Sequence, residues 1–227
     1  MTNTLHRYGT AESFKDDYVI FALPAKGGAQ TGDPKPALRR FLEIALDYNP
    51  VNIGDAIHGG GTRPTEHSHA MEHFARRPTK PDFQRVMDGL GEPTTYSAVF
   101  ATREDAEAFV QRIVEEDLGL SINISSSIEN AQNCCKAAGI TRHSVGYSLG
   151  FEGIQDNAPN RHVLALSTMC GHGMISQSLA KKMIDMVKEN RASPDKVTAA
   201  LSRFCSCGIF NPVRARRIIE EARKKTF

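Results

Sequence analysis

The first two thirds of the chain alternate short apolar runs with stretches of helical periodicity. Apolar runs bounded by polar or turn residues are typical of buried strands. They predict strands at 17–23, 51–57, 96–101, 120–124 and 143–151. Apolar residues spaced three and four apart predict amphipathic helices, at 37–48, 103–117 and 128–138. This order of strands and helices indicates a sheet with helices packed on it.

The last third is predicted to begin with a strand and to continue as helices. Residues 162–167 form one more apolar run, and helical periodicity follows over 175–190. Two dipeptides, beginning at Ser193 and Asn211, combine a capping residue with a proline, so two further helices should begin there. The predicted class is α/β: a mixed sheet flanked by helices, with a helical C-terminal segment that carries the cysteines discussed below.

Length and composition are those of an ordinary globular protein. The 227 residues suit one large domain or two small ones, and the 40% hydrophobic share allows a sizeable core. One division separates an N-terminal α/β segment with glycine-rich and histidine-rich loops, 1–93, from a β-α-β-α-β core with C-terminal helices, 94–227. A single compact domain is the alternative, since no linker is obvious.

The distribution of charge argues against two classes of partner. The net charge is +2, with 28 basic and 26 acidic residues, whereas nucleic-acid-binding domains concentrate basic residues on one face. The one basic run, between Arg214 and Lys225, is interpreted as the solvated end of a helix. No apolar run is long enough for a membrane span, and the polar stretch before Tyr18 contains no signal-peptide core. We therefore expect a cytoplasmic protein with no nucleic-acid or membrane partner.

The five cysteines in a reducing cytoplasm are candidates for metal ligands, nucleophiles or core residues rather than for disulfides. Cys170 follows a predicted strand and precedes a helix, and Cys205 and Cys207 lie between two predicted helices. Both places are near helix N-termini, which favour thiolates. Gly171 and Gly208, next to the cysteines, permit tight turns and a close approach of backbone to something bound there.

These three cysteines are predicted to form one site. Three thiolates suit a [4Fe–4S] cluster with one open iron, which can bind a substrate oxygen or a sulfur to be transferred. His172 would then lie beside that iron as proton donor or acceptor. Three alternatives stay open: a zinc ion bound by Cys170, Cys205, Cys207 and His172, a Cys170 nucleophile activated by His172, and three unrelated core residues.

Two segments carry a resemblance to a known family. The sequences TMCGHGMIS, at 168–176, and CSCGIFNPVRA, at 205–215, resemble the methanogenesis marker protein 8 family, and the resemblance extends over about 95–222. It implies an anaerobic iron–sulfur context near coenzyme M or related small-thiol metabolism. On this basis we expect an enzyme that makes or breaks a C–S bond on a small anionic substrate, with a sulfur or electron donor as partner.

Two other functions stay open at this point. An iron–sulfur hydro-lyase would use the same open iron as a Lewis acid. A zinc-stabilised binding or assembly factor would have the same cysteines and no turnover. In either iron–sulfur case a homodimer is expected, because exposed open clusters are often placed at subunit interfaces.

A glycine-rich loop and a histidine group are candidate sites for the anionic substrate. Backbone N–H groups of the loop, together with His58 and Arg63 at its two ends, would cradle a carboxylate, phosphate or sulfonate. His69 and His73 are four residues apart and would share a helix face, with His67 close by. The alternatives are a flexible loop and a solvated polar helix.

Cys134 and Cys135 are adjacent in a predicted helix. Adjacent residues of a helix point to different faces, so one of the two is expected in the core. The alternative is that one of these thiols carries a persulfide or acts as a fourth metal ligand.

Overall fold

The computed structural model describes residues 5–25, 32–62, 80–147 and 159–224, and every structural statement below refers to these residues. The strands are β1 (Tyr18–Pro24), β2 (Asn52–Asp55), β3 (Gly59–Gly60), β4 (Tyr96–Phe100) and β5 (Leu120–Ser125). The helices are α1 (Lys35–Leu46), α2 (Phe83–Asp88), α3 (Arg103–Glu116), α4 (Ile128–Ala137), α5 (Arg161–Ser167), α6 (Gln177–Lys188), α7 (Pro194–Ser202) and α8 (Pro212–Lys224). A 3₁₀ turn, Ala11–Phe14, precedes β1.

The described strands form one sheet in the order β3-β2-β4-β1-β5, and each of their pairings is antiparallel. Ile20, in the middle of β1, lies opposite Ala98 on β4 and Ile124 on β5. The α/β class and the helical C-terminal segment are confirmed, but this sheet is antiparallel rather than mixed. The reason is that each helical crossover skips one position in the sheet: α1 connects β1 to β2, and α3 connects β4 to β5. The parallel strands that a crossover joins are therefore never neighbours.

The connection pattern β1-α1-β2-β4-α3-β5 is a split β-α-β arrangement, whose connectivity is called ferredoxin-like. The short strand β3 extends the sheet beyond β2. Because β4 lies between β1 and β2, strands from both sides of residue 93 share this sheet. A topology of this kind hosts many unrelated functions, so the fold by itself assigns none.

Helices cover both faces of the sheet. Along β1, Tyr18 and Ile20 pack into the core that contains residues of α1 and α3, whereas Val19 and Phe21 pack into the core that contains residues of α5–α8. Successive side chains of a strand point to opposite faces. A strand that is covered on both faces is therefore apolar at nearly every position, as β1 is. The cysteines lie in the layer of α5–α8, on the Val19 side.

One predicted strand is wrong, and a second does not form over the part of it that the structure describes. Residues 162–167 belong to the helix α5, where all six are buried, and an apolar run buried on every side has no periodicity that separates a helix from a strand. The Asn160 side chain accepts a hydrogen bond from the His162 N–H at 2.9 Å and so caps this helix. Residues 143–147 form no strand, and the remainder of that prediction, 148–151, lies outside the described residues.

The two predicted helix starts in the C-terminal third are confirmed. The Ser193 side chain accepts a hydrogen bond from the Lys196 N–H at 3.2 Å, and the Asn211 side chain accepts one from the Arg214 N–H at 3.0 Å. These caps satisfy N–H groups that have no partner within a helix. None of the described helices combines the length and the apolar character that crossing a membrane requires.

Candidate functional site

Two loops of the C-terminal layer bring the three predicted cysteines together. Cys170 lies in the loop between α5 and α6, and Cys205 and Cys207 lie in the loop between α7 and α8. All three belong to the same core, and each is at most 2% exposed. Cys170 therefore follows a helix rather than the predicted strand, because α5 replaces that strand.

The thiols and the His172 imidazole form a chain of contacts. Cys205 Sγ lies 3.9 Å from Cys207 Sγ, and Cys207 Sγ lies 3.4 Å from Nδ1 of His172. Cys170 interacts in turn with the side chains of Cys205 and His172. Within the described part of the chain, however, no group of three or more His, Cys, Asp or Glu side chains has a geometry that would already hold a metal ion.

Cys170 and Cys205 are protonated at neutral pH in this environment. The hydrogen bond with Cys205, together with burial, raises the pKa of Cys170 to about 12, although the hydrogen bond with His172 opposes the shift. For Cys205, the hydrogen bond with Cys170 lowers the pKa, but the one with Cys207 and burial outweigh it and raise the pKa to about 12. A reactive cysteine is partly exposed and has a lowered pKa. These properties argue against an activated Cys170 nucleophile, and a core thiol or a thiol that loses its proton only when a metal binds remains.

Thiol labelling tests this placement. In the metal-free folded protein, N-ethylmaleimide should react quickly with Cys135 alone, because Cys135 is half-buried and the other four cysteines are buried. Near neutral pH a thiol of pKa about 12 is thiolate in fewer than about one molecule in 10,000, so Cys170 and Cys205 should react only after unfolding. Mass spectrometry counts the labels, and the Cys135→Ser control should lose the fast label. Rapid labelling of Cys170 in that control would show that the site is open.

Glycines hold both cysteine loops in left-handed backbone conformations. Gly171 has a φ of +73°, and a Cβ there would lie 2.9 Å from Leu5 Cβ. Gly208 has a φ of +74°, and a Cβ there would lie 2.5 Å from Gly54 Cα on β2. The glycines beside the cysteines therefore permit the close approach predicted for them, but the approaching atoms belong to the chain itself.

A buried group of charges lies next to this site, and no local sequence pattern predicts it. One carboxylate oxygen of Asp17 accepts hydrogen bonds from both Arg7 and Arg214, the latter at 2.8 Å. The Asn211 side chain donates to the other oxygen at 2.9 Å. Arg214 belongs to the basic run that we interpreted as a solvated helix end. That interpretation is wrong for Arg214, which is fully buried because its guanidinium pairs with Asp17.

Two buried guanidiniums share one buried carboxylate here, so the group carries one excess positive charge. Burial, followed by the charge of the second guanidinium, lowers the pKa of Arg7, whereas Cys170 and Cys205 raise it. The cysteines are therefore close enough to Arg7 for a thiolate at either position to stabilise its positive charge. The backbone agrees with this proximity, because the Tyr8 N–H donates to Thr168 Oγ1 at 2.9 Å.

A small cavity adjoins the cysteines. It has a volume of about 10 Å³ and is lined in part by His172, Cys207 and Ser97, which leaves room for about one water molecule. Nε2 of His172 is buried and has no hydrogen-bond partner among the described residues. Ser97, which no sequence signal singles out, donates its hydroxyl to the Cys207 carbonyl at 2.7 Å. Strand β4 thereby helps to fix the position of the second cysteine loop.

The predicted substrate-binding residues lie on other elements. His58 is in the turn between β2 and β3, where its Nδ1 lies 3.0 Å from a carboxylate oxygen of the buried Asp55. Gly59–Gly60 pairs with β2, so part of the expected anion cradle is taken up by the sheet instead. The remaining predicted residues lie outside the described residues: Arg63, His67, His69 and His73.

Cys134 lies in the opposite layer. It is fully buried in the core that contains residues of α1 and α3, whereas Cys135 is half-buried. Burial, followed by the charges of Glu107 and Cys135, raises the pKa of Cys134 to about 12. The expectation that one of the two is a core residue is confirmed, and Cys134 is on the wrong face of the sheet to complete the Cys170 site.

No protein-family model, curated protein or solved structure matches this chain. The resemblance of segments 168–176 and 205–215 to the methanogenesis marker protein 8 family therefore stays a prediction. What bears on function is the chemistry of the site itself.

Proposed function

We propose that this protein binds a thiophilic metal through the thiolates of Cys170, Cys205 and Cys207, with His172 beside them. The observation that carries the proposal is the convergence of three buried thiols and one imidazole from two loops. Thiolate and imidazole are the donors that zinc and iron–sulfur centres use. Buried cysteines without such a partner are inert.

The neighbouring charges support the same proposal. Arg7, Arg214 and Asp17 together carry one positive charge at a site with almost no solvent exposure, where an uncompensated charge is costly. A divalent ion with three thiolates and a neutral imidazole carries one net negative charge. A [4Fe–4S] cluster in its 2+ state with three thiolates carries the same charge. Either centre would neutralise the group, whereas three protonated thiols would not.

Two of the six donor–donor distances are compatible with a single tetrahedral ion. Zinc–ligand distances of about 2.3 Å to sulfur and about 2.05 Å to nitrogen give edges of about 3.8 Å between two sulfurs and about 3.6 Å between sulfur and nitrogen. The Cys205–Cys207 distance of 3.9 Å and the Cys207–His172 distance of 3.4 Å are close to these values. The function that follows is a zinc-stabilised binding or assembly factor of the cytoplasm.

A [4Fe–4S] enzyme is the second candidate, and His172 is the residue that favours it. A metal-bound imidazole usually donates its other N–H to a partner, but Nε2 of His172 is buried without one, in a residue that lines the small cavity. A histidine beside an open iron would instead move a proton at a small anionic substrate, in C–S bond chemistry or in a hydro-lyase reaction. The cost is that the sulfurs must move further apart than 3.9 Å, because each would bind a different iron.

Anaerobic purification followed by metal and sulfide analysis tests the proposal and separates the two candidates. The zinc centre predicts a colourless protein with one zinc per chain and no acid-labile sulfide. A brown protein with equal amounts of iron and sulfide supports the cluster instead. Cys170→Ser and Cys207→Ser should each lose the metal, whereas Cys134→Ser, in the opposite layer, should keep it. A protein without metal, or one whose metal survives Cys170→Ser, overturns the proposal.

A further inference from the structure

Two contacts hold the N-terminal segment against the loop between α5 and α6. The Tyr8 N–H donates to Thr168 Oγ1 at 2.9 Å, and Leu5 packs so closely that a Cβ on Gly171 would lie 2.9 Å from the Leu5 Cβ. Arg7 stands between Leu5 and Tyr8 in the sequence. This segment therefore places Arg7 beside the loop that carries the first of the three cysteines.

The positive charge of Arg7 is buried and incompletely matched by its partners. Its side chain is 2% exposed and forms an ion pair with Asp17, and its Nη1 donates to the Ser125 carbonyl at 3.0 Å. Its Nε is buried without a hydrogen-bond partner among the described residues. Because Asp17 also pairs with Arg214, one carboxylate serves two guanidiniums.

The thiols of the site face Arg7 rather than Arg214. Burial lowers the pKa of Arg7, and thiolates at Cys170 and Cys205 raise it. Burial also lowers the pKa of Arg214, to about 9, and Asp16 raises it, but no cysteine takes part. Of the two buried guanidiniums, Arg7 is therefore the one whose charge interacts with the cysteines.

We propose, building on the metal site described under the proposed function, that the positive charge of Arg7 determines how tightly the three-thiolate centre binds its metal. Without metal the thiols are neutral, so they do not compensate Arg7. Three thiolates and a divalent ion carry one net negative charge, and a positive charge close to them in a dry environment stabilises that state. Arg7 is not a ligand but a positioning residue, and outer residues of this kind commonly tune a metal centre.

Cobalt(II) is the probe, since it accepts the same sulfur and nitrogen ligands as zinc and its thiolate complexes absorb light. The metal-free full chain is titrated anaerobically at one fixed pH, and thiolate-to-cobalt absorbance reports binding. Arg7→Met and Arg7→Gln should each weaken cobalt binding at least about tenfold, with the absorption bands unshifted because the ligands are unchanged. Arg7→Lys keeps the charge and should bind within about threefold of the wild type.

Arg217→Met is the matched control. It removes an equal charge, but Arg217 pairs with Asp16 at 2.7 Å and is 23% exposed, so cobalt binding should stay unchanged. Circular dichroism checks that each variant is folded, and if Arg7→Lys does not fold, equal weakening in the Met and Gln variants still decides for charge.

Three results overturn the inference: wild-type affinity in Arg7→Met, wild-type affinity in Arg7→Gln with weak binding in Arg7→Lys, or shifted absorption bands in the Arg7 variants. The second result would assign the effect to hydrogen bonds, and the third would assign it to a change of structure. A wild-type chain without thiolate-to-cobalt absorbance would instead refute the proposed metal site, and the role of Arg7 with it.

Discussion

Asp17→Asn is expected to lower the free energy of unfolding by about 3–5 kcal/mol. The carboxylate of Asp17 is fully buried and is shared by Arg7 and Arg214, whose side chains are 2% and 0% exposed. Asparagine keeps the shape of the side chain but removes the negative charge, and its amide places N–H donors against groups that can only donate. Two guanidiniums then stay in a dry environment without a counter-ion, which costs far more than the loss of a surface ion pair.

Chemical denaturation measures this loss, and the thermal midpoint should fall by roughly 6–20 °C for a chain of this size. Asp16→Asn is the matched control. Asp16 also pairs with an arginine, Arg217, at 2.7 Å, but the two side chains are 17% and 23% exposed, so its loss should be about 1 kcal/mol. Equal losses of stability in the two variants would mean that the Asp17 carboxylate does not balance a buried excess of positive charge.

Arg7→Met separates the effect of charge from the effect of lost hydrogen bonds. The variant leaves Arg214 and Asp17 as a balanced pair, so in the metal-free protein it should cost less stability than Asp17→Asn. If it costs as much, the hydrogen bonds of Arg7, including its bond to the Ser125 carbonyl at 3.0 Å, outweigh the excess charge.

The sequence predicts those strands and helices whose own residues show a clear hydrophobic pattern. Strand β1 is buried on both faces and therefore appears as an unbroken apolar run, and α3 places its buried residues on one side: Ala106, Phe109, Val110 and Ile113. Helix α5 is short and buried on every side, so its pattern does not distinguish it from a strand. The antiparallel order depends on pairing between β1 and β4, which are far apart in sequence, and no local pattern records such pairing.

The cysteines of the candidate site can be predicted from the sequence, but the buried charged residues beside them cannot. Cys170 and Cys207 are each followed by a glycine that the loop requires, which is a local signal. The charge environment is different, because Asp17 and Arg214 are 197 residues apart and Arg214 stands in a run of basic residues. In such a run, nothing in the sequence distinguishes the one side chain that is buried. For the same reason, the excess positive charge beside the thiols emerges only from the folded chain.

Removing the metal from the loaded protein should lower the free energy of unfolding by about 3–4 kcal/mol, when the free metal concentration before removal is about 100 to 1,000 times Kd. The proposed centre joins two loops, those of Cys170 and Cys205, and supplies the negative charge that balances Arg7. Both contributions disappear together on chelation. Thermal unfolding with and without a strong chelator measures the difference, which should be roughly 6–16 °C in the midpoint.

Two cysteine variants show whether that difference arises at this site. Cys170→Ser should unfold at the same temperature with and without the chelator. Cys134→Ser should be less stable in both conditions, because Cys134 is a core residue, but should keep the full difference between them. A chelator effect that persists in Cys170→Ser would place the metal elsewhere in the chain.

Protonation of the thiols determines the direction in which fold stability and metal affinity change with pH. Hydrogen bonds among the thiols and burial raise the pKa of Cys170 and of Cys205 from about 9 to about 12 in the metal-free protein. That shift stabilises the metal-free fold below pH about 9, and its contribution is lost as the pH rises toward about 12. Metal binding has the opposite dependence, because both thiols must release protons to ligate. The association constant should therefore rise at least about 100-fold per pH unit near neutrality, because these two thiols alone release two protons. Titrations that show a flat or falling affinity would exclude these two cysteines as ligands.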